Sequence, residues 1–109
     1  MIQDTITKIE KRLADASIKP EKKRELLKLL RELKAEITKL AKTQREQSES
    51  IARFTHVSTH EATRKEQDPD LLKLSLDGLA SSVKEFEASH PKLVDNVNKI
   101  CLILSNMGI

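Results

Sequence analysis

The chain has 109 residues, a formal net charge of +3, 34% charged and 38% apolar residues, two Phe and neither Tyr nor Trp. That length suits one domain, and the scarcity of aromatics excludes the usual sheet core, which draws on aromatic and β-branched side chains. Abundant charge suits long helices with a narrow buried stripe, and Leu, Lys, Glu, Ala and Arg are strong helix formers. The fold class read from the sequence is all-α, a single helical domain over 1–109 with about four helices.

Ile2, Ile6, Ile9, Leu13 and Ala16 step by four, three, four and three, the rhythm of a coiled-coil seam. They predict a first helix over 3–16, broken by Ser17-Ile18-Lys19, with Pro20 placed to open the next. The rhythm resumes at Leu26 and runs through Leu30, Leu33, Ile37, Leu40, Gln44, Gln47, Ile51 and Phe54, with no Pro or Gly between 21 and 67. One uninterrupted, coiled-coil-like helix over 20–67 is therefore expected, about 45 residues and about 70 Å long. Leu27 and Leu29 widen its apolar face beyond what the first helix can cover. Leu26, Leu30, Leu33, Ile37 and Leu40 are accordingly expected to form an oligomer interface, most simply in a two-fold homodimer. Gln44 and Gln47 fall on seam positions, where a polar side chain fixes register at the expense of stability.

Asp68-Pro69-Asp70 ends that helix and opens a third over 69–88, with Asp68 as cap and Leu72, Leu76, Leu79, Val83 and Phe86 inward. Gly78 inside it should cost up to about 1 kcal/mol relative to Ala, so a close helix approach is expected there. Ser89-His90-Pro91 marks a further break before a fourth helix over 91–107, which Gly108 ends.

Phe86-Glu87-Ala88-Ser89-His90-Pro91, followed by an apolar helix and Leu104-Ser105-Asn106-Met107-Gly108-Ile109, resembles a family of short bacterial helical proteins known only as a domain of unknown function. The similarity covers residues 79–109 closely and the first hairpin loosely, with 42–70 resembling an extension. It implies a bacterial, cytoplasmic, helical protein, and it implies no activity, cofactor or functional residue. Met1-Ile2-Gln3-Asp4-Thr5 holds no basic cluster followed by an apolar stretch, so no signal peptide is expected, and the longest apolar run, Ile100 to Leu104, is too short to cross a bilayer.

Chemistry-bearing residues are few. His56 and His60 stand four apart with Glu61 beside them, but two outward-facing ligands make only an adventitious metal site. Glu87 and His90 match the Glu-x-x-His spacing of di-iron bundles, which need two such pairs and two further glutamates. Ser89 and His90 read as caps, and Cys101 lies in an apolar run. No enzyme, cofactor or metal is therefore expected. Residues 19–45 hold ten Lys or Arg against four Glu. Arg24, Lys28, Arg31, Lys39, Lys42 and Arg45 can share one outer face, which could follow a phosphate backbone or an anionic surface without reading sequence. The function expected is a non-catalytic structural or protein-interaction module that self-associates; the alternative is a sequence-tolerant binder of nucleic acid or anionic surfaces.

Overall fold

A computed structural model describes residues 2–107. Among these the chain forms five α-helices and one 3-10 turn: α1 (Ile2–Asp15), α2 (Pro20–Leu40), α3 (Arg45–Thr63), α4 (Pro69–Ser82), the turn Lys84–Phe86, and α5 (Pro91–Met107). The helix-ending role expected of Gly108 lies outside the described residues.

The all-α expectation is met, but the 45-residue helix over 20–67 is not present. It is two helices, α2 and α3, and the longest among the described residues is 21 residues. The amides of Thr43 and Gln44 both donate to the Leu40 carbonyl, at 3.1 and 2.8 Å, and Lys42 donates to Lys39. Gln44 then leaves helical geometry at φ −138°, ψ 67° and becomes the residue before α3. Its carbonyl accepts the Ser48 amide at 3.1 Å and the Ser48 hydroxyl at 2.9 Å, which ties the first turn of the new helix to the break. No Pro or Gly causes that break. Its physical reason is tertiary: a rod would leave most of its stripe in water, whereas the reversal buries Leu40 and Ile51 in one core. The molecule measures 38 × 24 × 22 Å, far short of such a rod.

The helices close into a ring in the spatial order α1, α3, α4, α5, α2, with α3 also reaching α2 and α5. Into the centre α1 sends Ile6, Ile9 and Leu13, α2 sends Leu26, Leu30, Leu33 and Ile37, and α5 sends Leu93, Val97, Ile100 and Leu104. In α1 and α2 these are the residues that the heptad rhythm pointed inward. In α3 the rhythm fails. Phe54 is 39% exposed, while Ser48, Thr55, Ser58 and Thr59 are buried. The Thr55 hydroxyl donates to the Ile51 carbonyl at 2.7 Å and that of Thr59 to Thr55 at 2.8 Å, so these two inward hydroxyls are satisfied along their own helix. Small inward side chains let α1 and α4 approach on either side.

Asp68 caps α4 as expected, its Oδ1 accepting the amides of Asp70 at 3.0 Å and Leu71 at 3.2 Å. The helix expected over 69–88 ends at Ser82, and the 3-10 turn places Phe86 in the core.

Candidate functional site

The face expected to be an oligomer interface is covered from within the chain. Leu26, Leu30, Leu33, Ile37 and Leu40 are all buried, with α1 and α5 packed on either side of α2. They offer no free apolar surface. What made the stripe seem too wide for one helix was the supposition that α3 continued in line with it; the reversal frees α5 to cover its second edge.

Arg24, Lys28, Arg31, Lys39, Lys42 and Arg45 are all exposed. The first five fall on one line along α2 and the turn after it, spanning about 27 Å. Glu21, Glu25, Glu32 and Glu36 follow one edge of this line, and Glu10 of α1 lies 3.9 Å from Arg31 and 4.0 Å from Lys34 at the other. Arg45, beyond the break, opens α3 instead of continuing the row.

His56 is half-buried and His60 exposed. Burial, then the neighbouring His60, Lys8 and Arg12, hold the His56 imidazole below its ordinary pKa. Among the described residues no group of three His, Cys, Asp or Glu side chains is placed to hold a metal ion. Ser89 Oγ lies 2.9 Å from His90 Nδ1, both exposed, and the His90 ring meets Phe86 edge-on at 5.5 Å. That contact and the His90 amide bond to the Phe86 carbonyl make the pair the entry to α5. Burial, with Asp77 adding to it, pushes the Cys101 thiol up to about 11, the opposite of an activated nucleophile.

On the α2–α5 seam the buried Asn96 amide donates to Glu36 Oε1 at 2.6 Å. Burial nevertheless raises the Glu36 carboxyl above the usual carboxylate range, against the opposing pull of Asn96 and Lys92.

The apolar surface that remains open lies between α3 and α4. The Phe54 ring lies on Gly78, where an added Cβ would fall 2.6 Å from Phe54 Cδ1. The two helices form a hairpin, so this contact fixes their antiparallel register and sets Val57 beside Leu74. Val57 is 46% exposed, Leu74 68%, and Leu71 one turn away 43%. Leu71 and Leu74 lie off the Leu72–Leu76–Leu79 seam, and these surplus leucines were the sequence signal for a second apolar face. Leu102 of α5 is also exposed, but on the far edge of α4, beside a groove lined by Leu76, Ala80 and Cys101.

A family model described as "Domain of unknown function (DUF4404)" matches residues 2–109. The chain belongs to that family. The DUF4404 match takes in 42–70, so that segment is part of the family's domain and not an extension of it. No curated protein and no solved structure matches the chain. Among the described residues of this DUF4404 protein no helix is long and apolar enough to cross a membrane.

Proposed function

We propose that this DUF4404 protein is a non-catalytic protein-interaction module whose working surface is the α3–α4 seam. The observation that supports this reading is the exposed row of Phe54, Val57, Leu71 and Leu74 along one seam of a small domain. A lone exposed Leu is ordinary, whereas a contiguous apolar strip on a small fold is the usual mark of a contact surface. Placing a photoreactive residue at Leu74, and separately at Lys28 on α2, tests it in the cells that make the protein. A discrete protein adduct specific to position 74 is expected. Equal labelling from both positions, or none from 74, overturns the reading.

A second reading draws on the cation line of α2. It is a sequence-tolerant anion-binding face for nucleic acid or an anionic membrane, supported by five exposed cations in a row. Changing Lys28, Arg31, Lys39 and Lys42 together to Gln should leave the melting temperature unchanged and abolish salt-sensitive binding to duplex DNA or anionic vesicles. Absence of binding by the parent protein at low salt ends this second reading.

A further inference from the structure

Between its contacts with α1 and α4, helix α3 turns one stripe to solvent. Ser50, Arg53, Val57 and His60 recur on it at steps of three, four and three, and Arg64, the partly exposed residue that follows α3, continues it four residues on. Phe54 and Glu61 lie along its α4 edge. Glu49 lies along the opposite edge, one heptad before His56, whose charged neighbours include Lys8 and Arg12 of α1.

The charged residues along this surface alternate in sign about an apolar centre, with Glu61 buried at 8% exposure and joined to the surface through its pair with Arg64. Glu49, Arg53, Val57 and Glu61 follow each other at steps of four along one ridge of the helix, and Arg64, just past the end of α3, closes the row three residues on. Their charges run negative, positive, neutral, negative, positive. Four residues before Val57 stands Arg53 and four after it Glu61; eight before it stands Glu49 and seven after it Arg64. A helix that meets a copy of itself antiparallel about a two-fold axis reads this row against its own reverse, and each contact occurs twice. With the axis at Val57, Glu49 is set opposite Arg64 and Arg53 opposite Glu61. In a parallel pairing Glu49 would face Glu49 and Arg53 would face Arg53.

We propose that the α3–α4 seam is the two-fold interface of a homodimer, with α3 packed antiparallel on α3 of a second copy about an axis at Val57. This rests on the reading of that seam as an interaction surface and names its occupant. Leu74 lies beside Val57, so the axis passes through the most exposed part of the apolar strip and the charges flank it, the arrangement of an apolar centre and polar rim. Glu61 already pairs with Arg64 at 2.9 Å within one copy, whereas Glu49 and Arg53 have no ion-pair partner among the described residues. Across the axis Glu49 and Arg53 of one copy approach the Arg64–Glu61 pair of the other, which makes a cluster of four alternating charges at each end. The outer line of α2 cannot serve in the same way, because Arg24, Lys28, Arg31, Lys39 and Lys42 would face like charge on a second copy.

Sedimentation equilibrium of the intact chain tests this, with a mass twice the 12.4 kDa of one copy expected at micromolar concentration. The double variant Val57→Glu, Leu74→Glu should keep its helicity, since both side chains are open to water in one copy, and sediment as a monomer. Glu49→Lys alone and Arg64→Glu alone should each weaken the dimer by about tenfold, because each substitution sets like charges together at two symmetric places. Mixed, those two variants should form a heterodimer tighter than either homodimer, read by native mass spectrometry. A parent chain that stays monomeric to millimolar concentration overturns the proposal, as does a dimer that survives the Val57, Leu74 double variant. A mixture without preference for the heterodimer overturns the axis at Val57. Should Arg64→Glu fail to fold, the Val57, Leu74 double variant still decides. An adduct from position 74 with an unlike protein, together with a monomer in solution, ends the homodimer and leaves the seam reading standing.

Discussion

Gly78→Ala sets two effects of similar size against each other, and the structure says which wins. In a helix interior Ala is favoured over Gly by about 1 kcal/mol. At position 78 the new methyl group meets the Phe54 ring, 2.6 Å from Cδ1, a distance no relaxed contact allows, and 3.1 Å from Cζ. Forcing a methyl into packed surroundings costs about 1–3 kcal/mol. The lower part of that range applies here, because Phe54 is 39% exposed and can swing outward instead of straining the backbone. The net expectation is a loss between about 0 and 1 kcal/mol. Phe54→Ala removes the obstacle, so in that background Gly78→Ala should stabilise by the full propensity difference of about 1 kcal/mol. A double-mutant cycle by urea denaturation, followed by far-ultraviolet circular dichroism at a concentration where the chain is monomeric, should show a coupling of about 1–2 kcal/mol. Equal stabilisation by Gly78→Ala in both backgrounds would refute the placement of the Phe54 ring on Gly78, and with it the helix register that sets Val57 beside Leu74.

Asp68→Ala removes the side chain that caps α4 and should lower stability by about 1 kcal/mol, whereas Asp68→Ser should recover most of it; the same denaturation assay checks both. For Glu36→Gln the sign follows from a carboxyl whose folded pKa is raised. The folded state holds that proton longer than the unfolded state, so stability falls as pH rises from the ordinary carboxylate value through the raised one. Glu36→Gln still accepts the Asn96 hydrogen bond, and it should therefore gain stability relative to the parent at neutral pH and none at pH values below the carboxylate range. A gain that is the same at every pH would contradict burial as the cause. Cys101, with its thiol pushed up to about 11, should react with iodoacetamide at pH 8 about a hundredfold more slowly in the folded protein than in denaturant, read by mass spectrometry.

Three of the five helices were legible because their inward residues are large and aliphatic. Ile2 to Leu13, Leu72 to Val83 and Leu93 to Leu104 repeat at steps of three and four, and their burial, partial only at Leu76, is the direct result. The helix starts were legible too, since Asp68-Pro69 and His90-Pro91 are local chemistry. What misled was the stretch between Leu40 and Ile51. Thr43 and Gln44 carry no strong stop signal, and the reversal there is driven by what α2 and α3 bury after it, a gain visible only in three dimensions. Beyond it the heptad rhythm pointed Phe54 inward. The side chains that do turn inward, Ser48, Thr55, Ser58 and Thr59, read as solvent residues in any hydropathy pattern. Five of the six cations keep one line because they lie on α2 and the turn after it, while Arg45 opens α3. Leu71 and Leu74 stand out in the sequence as surplus leucines, but the strip they form with Phe54 and Val57 could not be read, since it depends on α3 and α4 being neighbours.

The small hydroxyl residues on the inner face of α3 invert the usual tolerance of a protein interior to substitution. In most cores truncation is damaging and modest enlargement is absorbed at some cost. At these hydroxyl positions there is almost nothing to truncate, whereas Ile51 on the same face is a fully buried aliphatic that follows the ordinary rule. The Ser58 hydroxyl is buried without a hydrogen-bond partner among the described residues, so Ser58→Ala sheds a desolvation cost and leaves hardly any void. Enlargement at Ser48, Thr55 or Ser58 has no outlet, because a bulkier side chain must push a neighbouring helix off the ring. The hydroxyl positions on the inner face of α3 are thus permissive towards loss and intolerant of gain, and a library screened for folded variants should retain Ala at these positions and discard Leu and Phe.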